Sequence, residues 1–304
     1  MTTNRRLTGF KPSGDLHLGN LLSAIQPMVR DQYTTDSTVF LADLHALAPG
    51  QPVPGRATVR ETTLRQATVL LAAGVDPDRT LFYAQSQVPD HAELHHLLAR
   101  TTSRGRTRPQ AADILLHDAA EVPAGADQRQ HVALTRDIAS RFNRRYGSTF
   151  VLPSVVTPPV AARVLDLADP TVKMGRPASP GVIGLLDPPE LVIHTIEQAM
   201  TEEDGPIGYD PAARPGVSNL LEILAACVGG APATVGADLR GHAELRRVTA
   251  EAVLGLLRPV RARHATLARD PGYVRRLLAD GAERARGRTA ETVFRVKRAI
   301  GLLT

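Results

Sequence analysis

The sequence predicts an α/β fold, a Rossmann-like doubly wound parallel sheet, followed by an all-helical domain. Two observations carry this expectation. Through the first half, short apolar runs alternate with helical patterns, as a chain of strand–helix–strand units requires. From about Pro180 onward, apolar residues recur only at helical spacing. A chain of 304 residues that is 43% hydrophobic can bury two such cores, with residues 1–178 and 179–304 as the expected extents and a last helix free to pack back on the first domain.

The expected strands are Leu7–Phe10, Thr38–Leu44, Thr80–Ala84 and Thr149–Leu152. Leu21, Leu22, Ile25, Met28 and Val29 recur at helical spacing after the first of them, and Val59, Leu64, Ala67, Leu70 and Leu71 after the second. These are the crossover helices of a doubly wound sheet. A helix is expected over Gln128–Phe142 with Asp127 as its cap. In the second half Leu220, Leu221, Leu224 and Val228 form one stripe, and Leu245, Val248, Val253, Leu256, Leu257 and Val260 another. Proline and glycine mark loops at Pro49–Gly55, Thr101–Gln110, Gly175–Gly181 and Gly205–Gly216.

Composition narrows the function classes. The formal charge of +5 suits a polyanionic partner, because Lys and Arg replace counterions along a phosphate backbone. Basic residues are almost all arginine, with Lys11, Lys173 and Lys297 the only lysines, so a retained lysine carries more information than usual. Cys227 is the only cysteine, which rules out a disulfide or a cysteine zinc cluster within one chain, and it reads as a small buried hydrophobe. Arg5 and Arg6 are followed by no apolar leader region, and no stretch approaches the ~20 apolar residues of a membrane span. A cytoplasmic location without a membrane partner is expected.

The run Thr8-Gly9-Phe10-Lys11-Pro12-Ser13-Gly14-Asp15-Leu16-His17-Leu18-Gly19-Asn20 falls between the first strand and the first helix. That is where an α/β sheet binds nucleotides: glycine admits close backbone approach, and the helix start offers N–H donors to phosphate. It fits neither Gly-x-Gly-x-x-Gly nor a P-loop, since Asp15 follows Gly14 where Lys-Ser/Thr is needed. The run resembles the His-Ile-Gly-His signature of class I aminoacyl-tRNA synthetases in its tryptophanyl form, with His17, Leu18, Gly19 and Asn20 on the tetrad. The resemblance extends in order over nearly the whole chain. It takes in Ala42–Ala46, Ala111–Leu116, Val122–His131, Gly216–Leu221 and Asp280–Glu283, while Lys173-Met174-Gly175-Arg176-Pro177 stands at the mobile Lys-Met-Ser-Lys-Ser signature.

The resemblance implies roles for individual residues. His17, Asn20, Lys173 and Arg176 are the expected catalytic groups, acting on phosphate charge; Lys11, Ser13, Gly19, Asn20, Asp127 and Met174 face ATP, with Mg2+ sharing its charge. Leu7, Gly9, His45, Gln110, Asp113 and Gln128 face the amino acid. An indole N–H is donor-only, so a site choosing tryptophan needs a fixed acceptor, which the resemblance makes Asp113. A site with such a committed partner rejects analogues lacking the bond by ~10⁴–10⁵.

Several positions depart from the family pattern. Gln110 stands where methionine usually covers the indole, Arg106 where an aromatic hydroxyl is usual, and Leu7 where an aromatic packs against the ring. Arg176 keeps charge without the compact ammonium geometry, both serine donors of the mobile signature are gone, and Pro177 stiffens it. Between Leu98 and Ala111 only an arginine-rich loop replaces the family's extra two-helix stretch, leaving Arg104, Arg106 and Arg108 either as partial stand-in phosphate contacts or as a solvated loop. The expected activity is ATP-dependent activation of tryptophan or a tryptophan-like amino acid followed by transfer to tRNA, in a homodimer. The alternatives are a paralogue passing the adenylate to another amine or hydroxyl, and a catalytically weak regulatory binding protein.

Overall fold

The computed structural model describes residues 4–47, 59–101, 109–123, 129–157, 160–175, 179–202, 205 and 207–304. Five parallel strands form one sheet in the order β3-β2-β1-β4-β5: β1 (Arg5–Phe10), β2 (Asp36–Leu41), β3 (Leu81–Ala84), β4 (Glu121–Pro123) and β5 (Ser154–Val156). Strand order reverses between β1 and β4, and in such sheets ligands bind in the crevice beyond the carboxyl ends at that point.

After β1, α1 (Leu18–Asn20) runs through a π-helical turn at Leu21–Ile25 into α2 (Gln26–Asp31), and α3 (Val59–Ala72) returns the chain to β3. The helices α4 (Asp90–Thr101), α5 (Pro109–Leu116) and α6 (Arg129–Tyr146) follow. From Pro189 onward the named elements are all helices: α7 (Pro189–Glu197), α8 (Pro215–Val228), α9 (His242–Leu267) and α10 (Pro271–Ala299). No described helix is long and apolar enough to cross a membrane.

Strand periodicity sorts the core into two layers. Phe10, Val39, Leu41, Phe82 and Ala84 face the layer holding Leu18, Leu21, Ile25 and Leu70, and that same cluster takes in Leu220 and Leu224 of α8, Leu245 and Leu257 of α9 and Leu278 of α10. Leu7, Phe40, Leu81 and Tyr83 face the opposite side, against Ile114 of α5, Val132 of α6 and Ala282 and Ala285 of α10. The last helix thus packs back across the sheet. Arg288 and Arg295 fasten it there through Asp36 and Asp118, each at 2.7 Å.

Four expectations are corrected. No strand forms at Thr149–Leu152: Asn143 of α6 bonds the backbone of Thr149 and Phe150 with its side-chain amide, replacing a ladder, and pairing starts at Ser154. β4, which lay hidden in the Val122–His131 motif, is three residues long, too short for a period to show. β2 ends at Leu41, because the chain turns into a 3-10 helix at Leu44–Leu47. Val228, expected on a buried stripe, is 59% exposed as the final residue of α8, where Gly229 ends the helix. α6 also runs past Phe142 to Tyr146, where Gly147, with φ of +93°, stops it.

The Asp280–Glu283 motif has a packing cause. A β-carbon on Gly281 would collide with the backbone carbonyl of Phe82, so α10 crosses β3 at main-chain contact, and backbone cannot yield as a flexible side chain can. Gly287, in the same helix, has nothing within 4 Å of that position. Gly281→Ala is therefore expected to lower stability by about 1–3 kcal/mol in urea unfolding. Gly287→Ala should be neutral or stabilising by up to ~1 kcal/mol.

Candidate active site

The carboxyl ends of the strands deliver the site residues. The segment Lys11–His17 leaves β1, His45 follows β2 and Gln85 follows β3. Lys11 offers its carbonyl to Ser13 N (2.9 Å) and to Gln66 Nε2 of α3 (3.2 Å), which fixes the first bend; Ser13 itself is exposed. Backbone bonds from Leu18 to Ile183 (2.8 Å) and from Leu185 to Leu16 (3.1 Å) grip His17 on both sides. Asn20 Oδ1 accepts from His17 N at 3.1 Å. The side chain of Asn20 thus holds the histidine backbone in the first helical turn.

The imidazole of His17 lies against two glycines. A β-carbon on Gly19 would stand 3.1 Å from its Cε1 and Nδ1, and one on Gly175 would stand 2.6 Å from its Nε2. Gly175 has φ of +124°, where side chains are strained, and buried Met174 lies over Gly19. The His17–Asn20 tetrad and the Lys173–Gly175 signature are consequently in contact. Burial first, and then the charge of Lys173, lowers the pKa of His17 to about 4, so the ring is neutral at neutral pH and carries one N–H. Its Nδ1 is buried without a partner among the described residues. An orphaned imidazole nitrogen, a glycine-lined approach and the exposed Lys173 together fit a phosphate-bearing ligand.

The Lys173 segment is the far arm of a hairpin closed by Met174 N to Val164 O and Asp166 N to Val172 O, each at 3.0 Å. Asn219 of α8 bonds both backbone groups of Leu165 in the near arm, accepting at 2.8 Å and donating at 3.0 Å. Glu202 accepts from Gly216 N and Val217 N in the first turn of α8. The Gly216–Leu221 motif therefore anchors the hairpin that carries Lys173.

A second cluster surrounds Asp113, which is only 3% exposed on α5. Its Oδ2 accepts from His45 Nε2 (2.8 Å); its Oδ1 accepts from Gln85 Nε2 (2.7 Å) and His91 Nδ1 (2.7 Å). Burial alone raises a carboxyl pKa, but the hydrogen bonds from His45 and His91 and their charges outweigh it and hold Asp113 at about 2. Behind His91, Tyr83 Oη lies 2.8 Å from His91 Nε2 and 2.7 Å from His117 Nε2. Burial lowers the pKa of His117 to about 3 and raises that of Tyr83 well above the usual range. Leu7 is buried in the same layer, and the ring of Phe40 covers Gly9, its Cζ 2.7 Å from where a β-carbon would be. Gln110 is exposed, one turn before Asp113.

His17, Gly19, Asn20, Lys173 and Met174 are thus brought together, as are Leu7, His45 and Asp113, while Arg176, Asp127, Gln128, Arg104, Arg106 and Arg108 lie outside the described residues. Sequence reading passed over Gln85, His91, Tyr83 and His117. The signal for Gln85 was available, as a polar residue directly after a fully buried parallel strand.

Residues 2–108 and 110–255 match the family model for tRNA synthetases class I (W and Y). Tryptophan--tRNA ligase 1 of Streptomyces avermitilis is 44% identical, covering 98% of this chain and 99% of the relative, and the tryptophan--tRNA ligase of Leifsonia xyli subsp. xyli is 39% identical, covering 100% and 98%. Among solved structures, tryptophanyl-tRNA synthetase from Mycoplasma pneumoniae superposes with a TM-score of 0.87 at 28% identity, over 99% of this chain and 98% of that one. The Campylobacter jejuni enzyme, complexed with ADP and tryptophan, gives 0.77 at 26% identity over 98% and 100%. With the switch-point crevice, the contact between its two signatures and these relationships in place, the chain belongs to the tryptophanyl type of the class I tRNA synthetases, and is an adenylate-forming ligase.

Proposed function

We propose that this enzyme activates tryptophan with ATP and Mg2+ and transfers the tryptophanyl group to tRNA. The observation that carries the reading is the ionised, buried Asp113, an acceptor-only group in the apolar layer that holds Leu7 and Phe40. A ring N–H is the substrate group such an acceptor discriminates. The Campylobacter jejuni relative, which holds ADP and tryptophan, supports the substrate pair.

In the first step a carboxylate oxygen of the amino acid attacks the α-phosphorus of ATP, and the bond to the bridging oxygen of pyrophosphate breaks. Catalysis then consists of positioning and of stabilising phosphate charge. Neutral His17 donates its N–H to phosphate oxygen, and Lys173 supplies a compact positive charge beside it. Gly19 and Gly175 permit main-chain approach. When bound with ATP, Mg2+ would share the phosphate charge with Lys173. In the second step a terminal ribose hydroxyl of tRNA attacks the activated carbonyl and AMP leaves. Arg176, Asp127 and Gln128 keep the phosphate and substrate roles that the family pattern implies, and Arg104, Arg106 and Arg108 substitute as phosphate contacts where this chain departs from that pattern.

Pyrophosphate exchange against a panel of amino acids tests the first step: tryptophan should support exchange, and exchange with another amino acid instead would overturn the assignment. His17→Ala should lower kcat by about 10²–10³, the usual cost of one oxyanion donor, with a smaller effect on the tryptophan KM. Because burial holds His17 near 4, its protonation leaves no inflection near 6.5 in the rate profile; the donor changes state only as pH falls through about 4.

Asp113→Asn should weaken tryptophan binding by about 1.5–3 kcal/mol, the range for a charge-assisted bond, read as a raised KM in the same exchange assay. An amide nitrogen would also face the N–H of His45. Aminoacylation should fall steeply with added salt, since tRNA binding rests on arginine–phosphate contacts, while exchange changes little. Exchange without charging at any salt concentration would favour a different acceptor.

A further inference from the structure

The two oxygens of Asp113 have unlike surroundings. Among the described residues, Oδ1 accepts two protein donors, Gln85 Nε2 and His91 Nδ1, whereas Oδ2 accepts one, His45 Nε2. A carboxylate oxygen offers about two lone-pair directions, so Oδ1 is filled and Oδ2 keeps one open. The donors also differ in their support. His91 and Tyr83 are buried and stack with Phe40 at centroid separations of 5.5 and 6.1 Å, while His45 sits on the short turn Leu44–Leu47, where no residue is fully buried.

A free carboxylate turns readily about its last torsion, a broad and nearly two-fold well, and turning exchanges the two oxygens. The hydrogen-bond chain opposes that. Asp113 only accepts, so His91 Nδ1 donates to it, and Nε2 of the same ring is held by the hydroxyl of Tyr83. That hydroxyl also lies 2.7 Å from His117 Nε2, so the chain Asp113–His91–Tyr83–His117 holds the donor on Oδ1 in place.

We propose that His91 and Tyr83 are positioning residues for amino-acid selection: they fix the rotation of the Asp113 carboxylate so that Oδ2 is the atom accepting the substrate's ring N–H. This rests on the reading of Asp113 as the substrate acceptor. Neither residue touches the substrate. Both act through the direction of one lone pair, and so affect choice among amino acids rather than phosphate chemistry.

The test compares Tyr83→Phe, His91→Phe and His91→Asn with the parent. Tyr83→Phe keeps the stacked ring and removes only the hydroxyl; His91→Phe removes the donor; His91→Asn restores an amide donor close to the position of Nδ1. Pyrophosphate exchange is measured with tryptophan and with 3-benzothienylalanine, which keeps the bicyclic shape but has sulfur in place of the ring N–H.

Tyr83→Phe and His91→Phe should raise the tryptophan KM about tenfold, the scale of one hydrogen bond. They should shrink the preference for tryptophan over the sulfur analogue by a similar factor. The ATP KM and kcat should stay near parental values, and His91→Asn should recover most of the preference. An unchanged preference in folded Tyr83→Phe would overturn the proposal, as would a parallel loss in kcat and ATP KM, which marks general loosening. A His91 variant that fails to fold leaves Tyr83→Phe to decide. If the parent itself shows no preference for tryptophan over the analogue, the reading of Asp113 fails first, and the proposal with it.

Discussion

The proposed amino-acid half of the site depends on keeping one carboxylate ionised in an apolar layer. Taking a charge out of water costs several kcal/mol even after relaxation, and removing any donor from it leaves an uncompensated group behind. Asp113 meets that cost with three donors drawn from different places: His45 after β2, Gln85 after β3 and His91 on α4. Each donor fixes the relative position of its element. The carboxylate therefore constrains β2, β3, α4 and α5 together, and the apolar contacts of Leu7, Phe40, Ile114 and Val132 pack around it.

The phosphate half is held by a different kind of constraint. His17 is wedged against glycine main chain from two segments far apart in sequence. The hairpin that brings Gly175 there is clamped by Asn219, from the helical half of the chain. Residues that look like ordinary helix sequence in Gly216–Leu221 thus set the position of Lys173. The helical half is part of the catalytic architecture through main-chain hydrogen bonds as well as through the apolar cluster it shares with the sheet.

These two constraints explain what could be read in the sequence. β1, β2 and β3 were legible because each carries apolar residues toward both layers, whereas His17–Gly19 and Lys173 were picked out by their resemblance to the two family signatures. β4 and β5 were not legible, at three residues each. Phe150 was mistaken for a strand residue because its buried ring reads the same whether its backbone pairs with a strand or with the side chain of Asn143. The Asp113 network escaped for a different reason. Its members are single polar residues on separate elements, and His91, one residue into a helix that begins with Asp90, has the sequence surroundings of any first-turn residue.

The contrast between the halves bears on how the enzyme divides its work. Around Asp113 every described donor has an acceptor before substrate arrives, so ring recognition is preorganised and selection needs no rearrangement of charge. Around His17 a buried nitrogen lacks a partner among the described residues, and the ring is wedged against glycine main chain. Adenylate formation moves charge on phosphate, and the groups that follow it must shift slightly between substrate and transition state. Under the proposed function, a preorganised ring pocket lets binding energy gained there be used at the α-phosphorus. In such an arrangement, changes near Asp113 act on which amino acid enters, and changes near His17 on how fast it reacts.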